Sequence, residues 1–450
     1  MRNLYLLIIS LVMYFFAPSD FSLSFCVFSF ILFLLFFICN IASSKVLGIW
    51  TFNTFFSLSF LGVTYIFPLF IFSLDSEYSL FSIGYNEHVM SKATSLATMA
   101  YAFYSLGYQY SVKSKLSVSN SFKGGIYINT AIINKLIYLT SFLLVIVVFS
   151  GGLNYYKQGY SEGLGARTAN VFFTYLNMLF APLTEITCCC LFFSSNKKVI
   201  LKLLFLIALI VILLLSTGSR TLPLYLCLII FCWFVKYYKL SFGQSFSCAL
   251  LGVLIFSLIG FVRGDSVSVS SMVSYSNDSG IGVWDYFRDL TINNRNLYIG
   301  YEHIKEISDL KPQLLVGHIC SVVPFLQSIV TNIFSLSYFE TDSASYLTYL
   351  SFGHNAPLGV GTHIVSDVYM ALGFLGLAVV FYCLGRFIRK VCCYYLNGNT
   401  IWIVIYYICI AHSVFICRGS IFEIIKPILW SIIILYALNR LARYKFFFRM

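Results

Sequence analysis

Charge is what this chain has least of. Only 10% of its 450 residues are Asp, Glu, Lys or Arg, against roughly 25% in soluble domains, so water cannot be its main solvent. Acidic residues number just 17, and the short basic segments between apolar runs hold none of them. No Cys-x-x-Cys occurs. Most of the 14 cysteines lie inside apolar runs, Cys188, Cys189 and Cys190 among them, and Cys320 alone sits clearly in a polar stretch. That pattern excludes a disulfide framework and a zinc site and leaves cysteine acting as a small hydrophobe. No internal repeat is visible, which weighs against transporters built from paired halves. No Gly-rich phosphate loop or Asp-x-Asp appears in a basic loop, so no nucleotide site is expected. No small-x-small cleavage site follows the first apolar run before Pro18, so that run reads as a retained helix.

What is present is apolar and aromatic: 59% hydrophobic and 19% aromatic residues, with mean hydropathy +0.86. The periodic runs predict about twelve transmembrane helices, near 4–17, 21–42, 49–74, 93–110, 136–152, 172–193, 199–216, 222–235, 245–262, 364–384, 399–417 and 421–438. The first is short and the fourth polar. With both termini cytoplasmic, the cytoplasmic segments collect 18 of the 29 basic residues, as the positive-inside rule requires. The net charge of +12 is thereby orientation signal, and nucleic acid is not an expected partner. The chain divides into 1–262 (helices one to nine), a large outer loop over 263–363, and 364–450 (helices ten to twelve and a cytoplasmic tail). The loop holds more than half of the acidic residues together with Pro312, Pro324 and Pro357. A connection this long inside a compact fold is usually functional.

The informative residues are polar groups where lipid would not tolerate idle ones. Arg167 follows the Tyr-rich loop at Asn154–Tyr156. Arg220 ends Ser216-Thr217-Gly218-Ser219-Arg220, the link between two apolar spans. Arg263 closes the ninth span, and Arg418 lies in Cys417-Arg418-Gly419-Ser420 between the last two. All four fall at the outer boundary, where topology does not ask for positive charge. A guanidinium presents a fork suited to phosphate, and Arg220, Arg263 and Arg418 are the candidate diphosphate ligands. Each can equally be a snorkelling anchor. Glu185 lies mid-span, where a carboxylate is costly and faces a cavity or a partner. Glu423 and Lys426 stand three apart on one helix face, as an ion pair or as pocket walls. In Ser351–Gly376 the loop leads into the tenth helix past His354 and His363. Asp367 lies four residues after His363 on the same face, a spacing that suits an oriented general base or a sugar-hydroxyl anchor. It also suits a plain charge at the helix start.

These features together resemble the O-antigen polymerases, the Wzy-type polymerases of oligosaccharide repeat units. The resemblance rests on Gly218–Arg220, Arg263-Gly264, Gly361-Thr362 running through Ser366–Tyr369 to Gly373–Gly376, and Arg418-Gly419. It covers most of the chain from about residue 150 onward. Asp367 stands where the family usually has Glu, and the related ligases place a His before a similar helix, so His363 does not separate the two classes. The resemblance implies an all-α polytopic, GT-C-like, metal-independent glycosyltransferase of the bacterial inner membrane. It would join undecaprenyl-diphosphate-linked oligosaccharides on the periplasmic side without a cofactor. His354, His363 and Asp367 are then candidates for accepting the acceptor's proton, and Arg167, Arg288 and Arg295 for touching glycan or closing the loop. Membrane lipids, a chain-length regulator and a flippase are the implied partners. An O-antigen ligase or a flippase of the lipid-linked unit are the alternative functions.

Overall fold

The computed structural model describes residues 2–74, 86–110, 128–153, 171–252, 288–304, 311–323, 326–353 and 359–447. Among them every regular element is helical. In chain order they are α1 (Arg2–Phe15), α2 (Leu23–Ser43), α3 (Phe52–Ile66), α4 (Met90–Tyr110), α5 (Thr130–Phe149), α6 (Val171–Cys189), α7 (Lys197–Ser216) and α8 (Thr221–Tyr238). Then follow α9 (Arg288–Glu302), α10 (Lys311–Ser321), α11 (Leu326–Phe334), the single turn α12 (Tyr338–Thr341), α13 (Ser343–Phe352), α14 (Ile364–Leu396), α15 (Thr400–His412) and α16 (Ile425–Phe447). Side-chain oxygens at the N-caps stop several of the starts: Ser22 accepts from Phe25 N, Asn129 from Ile132 N and Asn196 from Lys198 N, each satisfying an end donor that lipid cannot.

Among the described residues eight helices are long and apolar enough to cross a membrane, and the apolar stretches Leu4–Phe15 and Thr400–His412 are shorter. The polar fourth span is present as α4 although its hydropathy does not mark it. Its cause lies in packing. Nearly all of residues 90–108 are buried, so the helix faces protein rather than lipid. The expected ninth span, 245–262, begins in helix at 242, and its remainder lies outside the described residues.

The chain forms two compact units. The first comprises Met1–Ser121, Arg288–Gly398 and His412–Lys426, and the second Phe122–Phe287, Asn399–Ala411 and Pro427–Met450. In the first, α4 is the axis, flanked by α1, α2 and α14. A buried polar network fastens α2 and α3 to it. Asn40 Nδ2 donates to Tyr101 Oη at 3.3 Å, Ser105 Oγ to Asn40 Oδ1 at 2.8 Å, Asn53 Nδ2 to Ser44 Oγ at 3.0 Å, and Tyr104 Oη to Asn53. The α4–α14 crossing is closer still. A Cβ at Gly107 would lie 2.1 Å from the Tyr382 carbonyl oxygen, and one at Gly385 2.1 Å from that of Tyr104. Small residues that let backbones touch are how helices associate where no hydrophobic force drives them together. In the second unit, α5, α6, α7 and α8 pack together. Thr140 and Thr187 share a hydrogen bond of 2.8 Å, and Phe192 stacks on Tyr407 at 3.6 Å.

One break shapes the site. Helix α14 runs 33 residues but is interrupted at Gly373, with φ 68° and ψ −166°, a conformation essentially reserved for glycine. Nine residues precede the break, and they carry Asp367.

Candidate functional site

Asp367 sits in the first turn of α14, where unsatisfied backbone amides favour negative charge. It is completely buried. Its Oδ1 accepts a hydrogen bond from the Ser343 hydroxyl and lies 2.9 Å from Nε2 of His318. Ser343 opens α13, whose N-cap Asp342 accepts from Ser345 N at 2.9 Å and Ser345 Oγ at 2.6 Å. The start of α13 is thereby fixed against Asp367. His318 comes from α10, and its ring lies flat on Phe422, centroids 5.0 Å apart and planes 10° off parallel. Its Nδ1 is 3.5 Å from Ser420 Oγ. Ser420 caps the short turn Ile421–Ile424 by accepting from Phe422 N at 3.2 Å, and the same turn carries Glu423.

Burial works against the charged imidazole of His318, but the carboxylates of Asp367, Asp342 and Glu423 outweigh it and raise its pKa above the ordinary value. His412 lies within electrostatic reach of Glu423. The first unit therefore holds an imidazole surrounded by carboxylates at different depths. Such a centre can take up and release a proton and can hold sugar hydroxyls.

The expected His363–Asp367 pair is corrected by this geometry. His363 is the N-cap of α14, with φ −119° and ψ 134°, so helical i to i+4 spacing does not apply to it. Its Nδ1 accepts from Val365 N at 3.2 Å, its Nε2 lies 3.2 Å from Thr64 Oγ1, and its ring meets Phe60 edge-on. It ties α14 to α3, and Asp367 takes its histidine from α10 instead. His318, Ser343 and Asp342 were not singled out from sequence. His318 and Asp367 stand 49 positions apart, and no local spacing marks them as neighbours. The available signal was weaker: a histidine inside the acid-rich loop.

The other candidates distribute as follows. Arg418 lies in the first unit, its guanidinium 5.7 Å over the Phe415 ring, and its carbonyl oxygen would be 3.6 Å from a Cβ on Gly361. The Gly361-Thr362 and Arg418-Gly419 motifs are therefore adjacent. Arg295 is buried in α9 with its guanidinium 5.9 Å over Phe352, and neighbouring Asn296 donates to Val360 O at 2.8 Å. Arg288 opens α9. Glu423 and Lys426 are within electrostatic reach of one another. In the second unit, Arg220 is the N-cap residue of α8, and Glu185 is buried in α6 one turn beyond Pro182. His354, Arg167 and Arg263 lie outside the described residues. Among the described residues no group of three or more His, Cys, Asp or Glu is arranged to hold a metal ion.

No curated protein and no solved structure matches the chain. The profile of the O-antigen polysaccharide polymerase Wzy family matches residues 2–448, a span that takes in every helix of both units and the His318–Asp367 centre. The chain belongs to the O-antigen polysaccharide polymerase Wzy family.

Proposed function

We propose that this protein polymerises undecaprenyl-diphosphate-linked oligosaccharide repeat units into O-antigen or a similar surface polysaccharide on the periplasmic side of the bacterial inner membrane. The observation that carries this reading is the family match over nearly the whole length. The chain makes twelve crossings with both termini cytoplasmic, and the 263–363 loop lies on the periplasmic side. An acceptor sugar hydroxyl attacks the anomeric carbon of the donor glycan, and undecaprenyl diphosphate leaves. The leaving group already carries its charge on phosphate, so acid catalysis is a minor need and no metal is required. Stabilising the departing diphosphate is the main task, assigned to Arg220, Arg263 and Arg418. Arg167, Arg288 and Arg295 touch the glycan or shape its path, and Glu185, Glu423 and Lys426 shape the pocket. Asp367 holds His318, which supports the reading of this region as the proton-handling centre, with His354 and His363 bordering it in sequence. Both lipid-linked substrates enter laterally from the bilayer, and a flippase and chain-length regulator are the natural partners.

The test is a deletion strain examined by lipopolysaccharide gel. Loss of polymerisation leaves core capped with a single repeat unit, and the wild-type gene on a plasmid restores the ladder. Loss of a ligase would leave no glycan on the core, and loss of a flippase would strand the unit inside. Long chains persisting in the deletion would remove the polymerase reading.

A further inference from the structure

The carboxylates around His318 differ in what they can reach. Asp367 is completely buried, and Asp342 is occupied in capping α13. Glu423 is exposed. Its carboxylate does not extend outward but folds back over Gly419. A Cβ on Gly419 would lie 2.6 Å from Glu423 Oε2 and 2.8 Å from Oε1, so both oxygens rest where any side chain at 419 would begin. Gly419 has φ −134° and ψ −156°, extended backbone open to every residue. The glycine is therefore needed for space, not for conformation. Around this hollow the turn is held rigidly. Glu423 N donates to Ser420 O at 3.1 Å, Ser420 caps the turn, and Phe422 is stacked on His318, itself anchored to Asp367. Among the described residues no ion pair within 4.0 Å occupies the Glu423 carboxylate. In the neighbouring Gly361–Asp367 segment, which meets the Arg418 carbonyl at Gly361, Asp367 Oδ2 and Thr362 Oγ1 are buried without a hydrogen-bond partner among the described residues.

From this geometry we propose that Glu423 is the catalytic base of the glycosyl transfer, presented beside Arg418 on the Arg418–Glu423 turn, with Gly419 and the His318–Asp367 pair as positioning residues. The proposal rests on the polymerase reading. As the acceptor hydroxyl oxygen bonds to the anomeric carbon, the bond from that carbon to the diphosphate oxygen breaks and its electron pair leaves with the diphosphate. The hydroxyl proton passes to a Glu423 oxygen and is lost to water after the product moves on. One turn then serves both ends of the displacement: the base at Glu423 and a cation for the leaving group at Arg418.

The experiment places Glu423→Gln, Glu423→Asp, Glu423→Ala and Gly419→Ala in the deletion strain and in proteoliposomes loaded with lipid-linked repeat units. General-base catalysis contributes on the order of 10²–10⁴-fold. Glu423→Gln should lower the polymerisation rate by that factor and leave single-repeat caps at wild-type protein level, while Glu423→Asp keeps part of the rate. Added formate should restore turnover to Glu423→Ala, which a merely structural carboxylate would not allow. Gly419→Ala displaces the carboxylate and should slow the reaction without formate rescue. A normal ladder from Glu423→Gln overturns the proposal and leaves the polymerase reading intact, whereas long chains in the bare deletion overturn both. If Glu423→Gln fails to accumulate, Glu423→Ala decides, and absence of formate rescue there overturns the proposal.

Discussion

Removing His318 should cost the fold more than removing its partner. In His318→Ala, at a pH where the wild-type imidazole is protonated, the Asp367 carboxylate keeps the Ser343 hydroxyl but loses its charge partner, while remaining fully buried. Stripping one partner from a buried charge pair costs about 3–5 kcal/mol, because the other charge is left uncompensated. At about 1.4 kcal/mol per decade that is roughly two to three and a half powers of ten in the folding equilibrium. Asp367→Asn removes the charge itself and leaves an imidazole free to lose its proton. Its cost is that of a charge-assisted hydrogen bond, about 1.5–3 kcal/mol. The double variant His318→Ala/Asp367→Asn should cost less than the sum of the singles, with a coupling of roughly 0.5–3 kcal/mol. The pH dependence has a definite sign. The His318 pKa is raised in the folded protein, so the pair's contribution is complete below the unfolded value of about 6.5 and is lost as pH rises through the folded value. Melting curves of the detergent-solubilised protein, from mildly acidic to alkaline pH, measure both effects. The wild type should lose stability on the alkaline side by more than His318→Ala does. Equal melting temperatures for His318→Ala and Asp367→Asn would refute the buried-pair reasoning.

Further expectations concern the leaving group and the backbone. Arg220→Ala, Arg263→Ala and Arg418→Ala should each shorten chains to single repeats at unchanged protein level, with losses on the order of 10²-fold or more in rate; normal ladders in all three would remove the diphosphate assignment. Gly385→Ala places a methyl 2.1 Å from a backbone oxygen of α4, so the two helices must separate at about 1–3 kcal/mol or more, read as a lower melting temperature. Gly373→Ala should cost about 1–3 kcal/mol and should lower polymerisation further than melting, because the strain falls on the segment that carries Asp367.

The membrane helices were legible because lipid leaves the sequence little choice: a span needs about 20 apolar residues, and α2, α3, α5, α6, α7, α8, α14 and α16 supply them. Legibility fell where a helix faces protein. The low hydropathy of α4 reflects Tyr101, Tyr104, Ser105 and Gln109 turned toward Asn40, Asn53 and Ser57, and only packing reveals why that is tolerated. The motifs at Gly361–Asp367 and Arg418–Glu423 were visible as unusual polar residues, but their adjacency, Gly361 against the Arg418 carbonyl, is made by tertiary packing that no local spacing encodes. Local spacing pointed Asp367 at His363, whereas the cap geometry of His363 and the long return through the loop gave it His318. Glu423 read either as half of an ion pair with Lys426 or as a pocket wall; the two groups are within electrostatic reach, and the tight turn with the bare Cα at Gly419 folds the carboxylate backward.

The interruption at Gly373 also bears on how the protein meets bilayers of unequal thickness. An unbroken helix of 33 residues would be about 50 Å long, well beyond a hydrocarbon layer of about 30 Å, and any tilt that relieved the mismatch would swing its far end through several ångströms. With the axis broken at Gly373, the stretch clamped to α4 can lean with the lipid while the Asp367 turn stays registered to α9, α10 and α13.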